Sequence, residues 1–387
     1  MNNNFVNSEI VYAGVNDKTI DLFEGQYKIT NGVTYNSYVI LDDRITVMDS
    51  IDARATEEWF ANLERILGGR QPDYLVISHL EPDHSSNIKN FLDKYPQAGI
   101  VSNAKVFSML PQFFDDIDLE GKKIVVKDGD TLQTGKHILK FFMTPMVHWP
   151  EVMMTCDLTD KILFSADAFG KFGTLDTEED WECEARRYYF NIVGKYGAQV
   201  QAVLKKLEGM ELSAICPLHG PVLSENLEYY IEKYKIWSSY EPEERGVFIA
   251  YSSMYGNTAA AAEKMKALLE ERGIKTGIAD LVRGDMARAV EEAFRYDRLV
   301  LASPTYDGGI MTYMEDFLYR LKLKNYQKRT AALIENGTWA PMAAKKMREQ
   351  LESMKDVAVL DPVITIKSTV KEQNLEDMKL LADELAR

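Results

Sequence analysis

Four side chains that can bind a metal ion fall within six residues of this chain, His79-Leu80-Glu81-Pro82-Asp83-His84. An apolar run at residues 74–77 comes before them and is typical of a buried strand, and a helix is predicted at residues 87–95. Imidazoles and carboxylates together suit zinc and iron. Four ligands in so short a loop divide more naturally between two ions than around one. The alternative is a polar helix-capping loop that contains two histidines by chance.

Three later residues occupy the same kind of position, in a loop directly after a predicted strand: His148, Asp167 and His219. If Asp167 bridges two ions, each ion receives four protein ligands. The first group is His79, Glu81, His148 and Asp167, and the second is Asp83, His84, Asp167 and His219. Each of the three later residues could also be an ordinary polar group of the core or the surface. The fifth histidine, His137, begins a strand without such a loop, and we expect an ordinary surface residue there.

The composition argues against several classes of protein. The 387 residues predict two domains, or three, at roughly 150 residues each. With 60 acidic and 45 basic residues the net charge is −15, which argues against sequence-independent nucleic-acid binding and would steer a basic redox partner toward the chain. The three cysteines form no Cys-x-x-Cys pair, so neither an iron–sulfur site nor a disulfide framework is predicted. We expect no signal peptide at residues 1–5, no membrane span and a cytoplasmic location.

The pattern of strands and helices changes near residues 241–246, a charged, proline-containing segment that is typical of a linker. Before it, short strands mix with helices predicted at residues 56–67, 184–207 and 226–237. After it, strands alternate strictly with helices, which predicts a doubly wound parallel sheet. Its five strands are predicted at residues 246–251, 275–279, 298–302, 331–334 and 357–366. We therefore predict two domains, at residues 1–243 and 244–387.

The loop after the first strand of the second domain could hold a phosphate group, because backbone N–H groups and the positive dipole end of a helix attract an anion. It lacks both Gly-x-Gly-x-x-Gly and a Walker lysine, which disfavours dinucleotides and ATP. Two later strand-end loops suit a planar ligand, since Tyr306 and Trp339 could stack on it; ordinary loops with core aromatic residues are the alternative. The candidate residues are Ser253, Met254, Tyr255, Gly256, Asn257 and Thr258 in the first loop, Ser303, Pro304, Thr305, Tyr306, Asp307, Gly308 and Gly309 in the second, and Asn336, Gly337, Thr338 and Trp339 in the third.

The order of the metal-binding residues resembles that of the metallo-β-lactamase fold, most members of which are zinc hydrolases with a histidine at the position of Glu81. An extra carboxylate makes the site harder and more anionic, which favours iron. In this respect the chain resembles the flavodiiron proteins, and so do the segments Thr34-Tyr35-Asn36-Ser37-Tyr38, His148-Trp149-Pro150 and Tyr188-Tyr189-Phe190-Asn191-Ile192. The phosphate loop resembles that of flavodoxins. The resemblance covers essentially the whole chain and implies an α/β protein: an αββα metallo-β-lactamase-like domain followed by a flavodoxin-like five-stranded parallel sheet.

The resemblance implies an oxidoreductase that reduces dioxygen to water, nitric oxide to nitrous oxide, or both, at two non-haem irons supplied with electrons by FMN. Tyr189 matches the family's tyrosine beside the substrate pocket. Many members have a histidine near the metals where this chain has Glu24, so that either a carboxylate replaces a proton donor or the position points elsewhere. Two rival hypotheses are a zinc hydrolase with an accessory flavin domain and an electron carrier whose first domain is only structural.

The resemblance also implies partners. Since this sequence contains no Cys-x-x-Cys pair, we expect no fused rubredoxin domain, and a separate rubredoxin or a reduced deazaflavin is the expected electron donor. A head-to-tail homodimer, with a tetramer left open, would set the diiron site of one chain against the FMN of the other. Trp149 and Trp339 are candidates for the contact between the cofactors.

Overall fold

The computed structural model describes residues 6–387, so the prediction made for residues 1–5 lies outside the described part of the chain. The chain divides into two compact units. The first ends at Tyr189 and resumes from Ala198 to Tyr234, and the second takes Phe190–Gly197 and Lys235–Arg387. The predicted domain boundary, between residues 243 and 244, remains a proposal.

The first unit is built on two sheets. Its strands are β1 (Ile10–Tyr12), β2 (Val15–Asp17), β3 (Leu22–Phe23), β4 (Tyr27–Lys28), β5 (Val33–Tyr35), β6 (Tyr38–Ile40), β7 (Thr46–Met48), β8 (Tyr74–Val76), β9 (Gly99–Asn103), β10 (Lys123–Val126), β11 (Thr131–Gln133), β12 (Ile138–Met143), β13 (Met153–Asp157), β14 (Ile162–Phe164) and β15 (Ala214–Cys216). One sheet has the order β1-β6-β7-β8-β9-β10 and the other the order β11-β12-β13-β14-β15. Two short pairs, β2 with β5 and β3 with β4, form separate ribbons.

The core of the first unit lies between these two sheets. Side chains from both sheets join one buried cluster, in which Tyr38 of the first sheet meets Phe164 of the second with ring centroids 5.5 Å apart. Every residue of β6, β7 and β8 is buried, so the first sheet is covered on its outer face as well. Full burial explains why residues 74–77 read as an unbroken apolar run.

The helices up to residue 238 are α1 (Thr56–Leu67), α2 (Pro82–Ser85), α3 (Ile88–Lys94), α4 (Ala104–Met109), α5 (Trp181–Tyr188), α6 (Gly197–Leu207) and α7 (Leu227–Ser238). The helix predicted at residues 56–67 is confirmed, and Gly68 ends it with a left-handed φ of 57°. The single helix predicted at residues 184–207 is wrong. A π-helical segment, Tyr189–Val193, and a 3-10 turn, Gly194–Tyr196, separate α5 from α6. Two glycines in this stretch weaken a continuous helix, because glycine loses more conformational freedom than other residues on folding.

The second unit contains the predicted parallel sheet. Its strands are β16 (Glu244–Tyr251), β17 (Thr276–Asp280), β18 (Tyr296–Tyr306), β19 (Gly309–Ile310), β20 (Arg329–Asn336), β21 (Val357–Val359) and β22 (Ile364–Ile366), and its helices are α8 (Asn257–Glu270), α9 (Met286–Arg295), α10 (Thr312–Leu323), α11 (Ala343–Leu351) and α12 (Glu372–Ala386). The parallel order β17-β16-β18-β20-β21 is the doubly wound order 2-1-3-4-5.

Two details of the second unit differ from the prediction. The first strand begins at Glu244, inside the segment interpreted as a linker. The fifth strand is divided into β21 and β22, which both pair with β20. Pro362 lies between them and has no N–H group to donate to a neighbouring strand.

The prediction of a surface position for His137 is wrong, since its side chain is fully buried. Its Nδ1 lies 2.8 Å from Oδ2 of Asp157, which is also fully buried. A hydrogen-bonded carboxylate makes the burial of an imidazole possible. Across residues 6–387, no helix is both long enough and apolar enough to cross a membrane.

Candidate functional site

The seven side chains singled out in the sequence come together at the ends of strands in the first unit. His79 and Glu81 follow β8, and Asp83 and His84 lie in the single turn of α2 rather than in an open loop. The other three follow β12, β14 and β15: His148, Asp167 and His219. All seven are at most 9% exposed.

The seven side chains form two groups. His79, Glu81, His148 and Asp167 each offer one atom, and these atoms all lie within 4.8 Å of one another. Asp83, His84 and His219 meet the same criterion. Nε2 of His84 and Nε2 of His219 are 3.0 Å apart although the two residues are 135 positions apart in the chain. This is the predicted division into two groups.

Asp167 lies between the two groups. Its Oδ2 is 2.9 Å from Nε2 of His148 and 3.5 Å from Nε2 of His79. Its Oδ1 is 3.9 Å from Nε2 of His84 and 4.0 Å from Nε2 of His219. Each carboxylate oxygen therefore faces a different group, which is the geometry that a bridging ligand requires.

The side chains of the two groups are spaced to bind metal ions rather than to form hydrogen bonds with one another. Ligands about 2.1 Å from a tetrahedral ion lie roughly 3.4 Å apart, and Nε2 of His219 lies 3.3 Å from Oδ2 of Asp83. Several buried atoms of the site have no hydrogen-bond partner among residues 6–387, and such atoms are rare in protein interiors. They are Nδ1 and Nε2 of His79, both carboxylate oxygens of Asp83, Nδ1 of His84 and Oδ1 of Asp167. Bound ions would satisfy the atoms of this set that face them.

Burial and charge oppose each other in the site. Burial lowers the pKa of His148, but Asp167 and Glu81 outweigh it and raise that pKa to about 10. Burial also opposes ionisation of Glu81, yet His148 outweighs it and lowers the pKa of Glu81 to about 2. Burial lowers the pKa of His84 to about 4, despite the nearby Asp83. At neutral pH His84 is ready to bind a metal, whereas His148 must first release a proton.

Residues outside the seven hold the site in place. The carboxylate of Asp49 accepts hydrogen bonds from the backbone N–H and the hydroxyl of Ser78, both at 2.7 Å. Nδ1 of His219 lies 2.6 Å from the carbonyl oxygen of Thr34, which orients the ring. The backbone N–H of Leu80 donates to Oε1 of Glu151 at 3.0 Å. The sequence argument missed Asp49 and Glu151, although Asp49 follows β7 as the other polar residues follow their strands.

The predicted phosphate loop connects β16 with α8 in the second unit. The hydroxyl of Ser253 accepts a hydrogen bond from the N–H of Gly256 at 3.1 Å, and Gly256 has a left-handed φ of 89°. This closes the turn ahead of the helix, so that the N–H groups of the first helical turn face outward from the end of the sheet. Tyr255 is 91% exposed and Trp339 is 82% exposed. Aromatic side chains so exposed suit stacking on a planar ligand.

Parts of the other two predicted loops belong to β-strands in the structure. β18 continues through Ser303, Pro304, Thr305 and Tyr306, and Asp307 and Gly308 turn the chain back into β19. Asn336 ends β20, and its side chain donates to the carbonyl oxygen of Ser368 at 2.8 Å. A cavity of about 420 Å³ lies between two of the loops and is lined by Met254, Tyr255, Tyr306, Met311 and Thr312. The cavity and its aromatic lining fit a flavin.

Known proteins resemble both units. A family model described as "ODP family beta lactamase" matches residues 33–220, and one described as "Flavodoxin domain" matches residues 248–367. The rubredoxin-oxygen oxidoreductase of Megalodesulfovibrio gigas is 26% identical over 94% of this chain and 92% of that protein. The nitric oxide reductase of Moorella thermoacetica is 26% identical over 95% of this chain and 94% of that protein. The flavodiiron protein from Giardia intestinalis has a similar crystal structure, with a TM-score of 0.90 and 25% identity over 98% of this chain and 95% of that one.

The chain belongs to the flavodiiron proteins. Membership confirms the predicted fold class, a metallo-β-lactamase-like domain followed by a flavodoxin-like domain. The rival interpretation as a zinc hydrolase is not favoured, because the relatives from Megalodesulfovibrio gigas and Moorella thermoacetica, which match both halves, are named as an oxidoreductase and a reductase.

Two neighbouring tyrosines of this flavodiiron protein have different surroundings. The ring centroid of Tyr188 lies 5.5 Å from that of His219, and the Tyr188 hydroxyl is buried without a hydrogen-bond partner in the described part of the chain. Burial raises the pKa of Tyr188, and the carboxylates of the site raise it further. Tyr189 is also fully buried, and its ring centroid lies 5.1 Å from that of Tyr234. The sequence argument placed Tyr189 beside the substrate pocket and gave no role to Tyr188.

Glu24 lies in the turn between β3 and β4, where its φ is 49°. It lines a cavity of about 280 Å³ whose other lining residues include Glu81 and Asp83. The guanidinium of Arg54 lies at the same cavity, where it donates to the hydroxyl of Tyr35 at 2.9 Å. Glu24 therefore shares a cavity with the metal centre.

Proposed function

We propose that this flavodiiron protein is an oxidoreductase that reduces dioxygen to water, nitric oxide to nitrous oxide, or both. The observation that carries the proposal is the position of Asp167, whose two oxygens face two separate groups of metal-binding side chains. A paired metal site in the same chain as a flavodoxin-like unit suits a reaction that needs several electrons at one place. The names of the relatives from Megalodesulfovibrio gigas and Moorella thermoacetica support both substrates.

Seven side chains hold the two irons in this proposal. His79, Glu81, His148 and Asp167 hold one, and Asp83, His84, Asp167 and His219 hold the other. When bound, the irons supply the redox-active site for the substrate, and FMN supplies it with electrons. Four imidazoles with three carboxylates, and no thiolate, suit iron in this role.

The chain's own residues orient and protonate the substrate. We assign this role first to Tyr188, because its buried hydroxyl lies beside the site and has no hydrogen-bond partner among residues 6–387. Tyr189 remains a candidate through its match to the family. Glu24, on the cavity that it shares with Glu81 and Asp83, is the candidate for admitting protons from solvent.

FMN is held by the three strand-end loops of the second unit. The loop from Ser253 to Thr258 holds the phosphate through backbone N–H groups at the start of α8. The exposed rings of Tyr306 and Trp339 would be available to stack on the flavin. The segments from Ser303 to Gly309 and from Asn336 to Thr338 would supply the other contacts.

An external protein or cofactor delivers the electrons, with a rubredoxin or a reduced deazaflavin as the candidates.

The protein acts in the cytoplasm as a head-to-tail homodimer that pairs the diiron site of one chain with the FMN of the other. Mixed dimers of a metal-free variant (His84→Ala with Asp167→Ala) and a flavin-free variant should recover activity, since one cofactor pair is complete. Verified mixed dimers without activity would contradict this arrangement.

Metal and flavin analysis combined with turnover tests the function. We expect two irons and one non-covalent FMN per chain, and consumption of oxygen or nitric oxide by protein supplied with a reduced donor. The turnover rates of dioxygen and nitric oxide, measured on one preparation handled anaerobically, show which substrate is reduced faster. A preparation that contains zinc, no flavin and no turnover would overturn the proposal in favour of a hydrolase.

A further inference from the structure

Glu9, His137 and Asp160 form a second set of metal-binding side chains, here called the Glu9 cluster. Each offers one ligand atom, and the three atoms lie within 4.8 Å of one another. Glu9 directly precedes β1, His137 directly precedes β12, and Asp160 lies in the turn between β13 and β14. The cluster therefore joins an edge strand of the first sheet to the second sheet, and it shares no residue with the metal centre.

His137 is oriented as a metal ligand would be. Its Nδ1 lies 2.8 Å from Oδ2 of Asp157, and both side chains are fully buried. With the proton on Nδ1, the hydrogen bond to Asp157 leaves the lone pair on Nε2. Metal-binding histidines commonly donate their other ring N–H to a carboxylate in this way, which sets the tautomer and the ring orientation.

The burial of Nε2 of His137 is not explained by any hydrogen bond in the described part of the chain. This nitrogen is buried and makes no hydrogen bond within residues 6–387, and Oε2 of Glu9 is 3.4 Å from it. A ring nitrogen is rarely left unpaired in a protein interior. Either an additional proton or a metal ion between His137 and the carboxylates would supply the partner.

Both carboxylates of the cluster already have partners in the chain. Lys136 pairs with Oε2 of Glu9, and the side-chain N–H of Asn7 donates to Oδ2 of Asp160 at 2.7 Å. Lys136 therefore holds the same Glu9 oxygen that lies 3.4 Å from Nε2 of His137, and an ion at this point would have to displace it. The contact from Asn7 leaves Oδ1 of Asp160 available. Lys136 is a competitor for Glu9 and not a ligand.

We propose that the Glu9 cluster binds a divalent transition metal ion such as Zn²⁺. One imidazole and two carboxylates provide three protein ligands, and water completes the coordination. The ion links β1 to the turn between β13 and β14 and adds to the stability of the first unit. The cluster shares no residue with the side chains that would hold the irons, and we assign the ion a stabilising role.

The test uses the holoprotein with its iron in place, equilibrated with Zn²⁺ alone. Iron and zinc are counted in the same sample after dialysis, and thermal unfolding is followed in parallel. We expect one zinc per chain in addition to the iron, and a higher midpoint of unfolding because the ion binds only the folded chain. No added zinc, or zinc gained only as iron is lost, would overturn the proposal.

Variants locate the bound zinc. Glu9→Gln and Asp160→Asn each remove one ligand at a partly exposed position and should weaken zinc binding roughly tenfold or more. Glu211→Gln is the matched control, since Glu211 also pairs with a lysine, Lys161, outside the cluster. Lys136→Met should tighten binding, because it removes the competitor for Glu9. Equal zinc affinity in Glu9→Gln and Glu211→Gln would place the ion elsewhere and overturn the assignment.

Discussion

The carboxylate of Asp49 should determine how firmly the loop that begins at His79 is held. Asp49 is buried and accepts two hydrogen bonds from Ser78, one from the backbone N–H and one from the hydroxyl, each at 2.7 Å. Asp49→Ala leaves both donors buried without this acceptor. Each such loss costs about 1–3 kcal/mol, so we expect the free energy of unfolding to fall by roughly 2–6 kcal/mol.

The same change should weaken metal binding, because Ser78 is the residue immediately before His79. Loss of a residue that orients a ligand typically reduces metal affinity about 10–100-fold. Asp49→Asn is the matched control. Its amide oxygen accepts the backbone N–H, and its NH₂ group donates to the Ser78 hydroxyl, which can accept as well as donate.

Urea unfolding measures the stability of the three proteins, and iron content after dialysis against increasing chelator measures their metal affinity. We expect Asp49→Ala to lose both stability and iron, and Asp49→Asn to remain close to the parent protein. Iron retention and an unfolding midpoint unchanged in Asp49→Ala would refute the role of the two hydrogen bonds. If Asp49→Asn lost as much stability and iron as Asp49→Ala, the negative charge of Asp49 rather than its hydrogen bonds would hold the loop.

Three further predictions concern the metal centre, the flavin loop and acid stability. Asp167→Ala should lower iron content in both groups, since its two oxygens face different groups; a variant with two irons and full activity would show that Asp167 does not bridge. Ser253→Asp should lower the flavin absorbance per chain, because it sets a negative charge against the phosphate; undiminished FMN, or FAD in its place, would contradict the assignment of the loop. Burial opposes ionisation of Asp42, but hydrogen bonds from the backbone of His137 and Lys136 outweigh it and lower its pKa from 3.8 to about 2. The stability that Asp42 contributes is therefore complete above pH 3.8 and is lost as the pH falls through about 2. Asp42→Asn should flatten this part of the acid-unfolding curve, and an unchanged curve would count against the linkage.

Strand-end positions account for most of what the sequence predicted about the site. Polar residues directly after buried strands identified His148, Asp167 and His219 as partners of the 79–84 segment. The same rule applies to Asp49, which directly follows β7, and the sequence argument did not extend it to that strand. His137 fits no such rule, since its burial depends on Asp157, twenty residues away in the chain and on a neighbouring strand.

The sequence by itself determined the two domain types and the chemistry available to each. Local spacing is enough for that, because strand and helix periodicity and the order of histidines and carboxylates are properties of short segments. Only the tertiary structure decided which atoms meet. Nε2 of His84 and Nε2 of His219 lie 3.0 Å apart because two sheets pack face to face and bring their strand ends together. The same packing turns the two oxygens of Asp167 toward different groups and sets Tyr188 against His219. Such contacts depend on how remote segments pack, and no pattern within one segment specifies that.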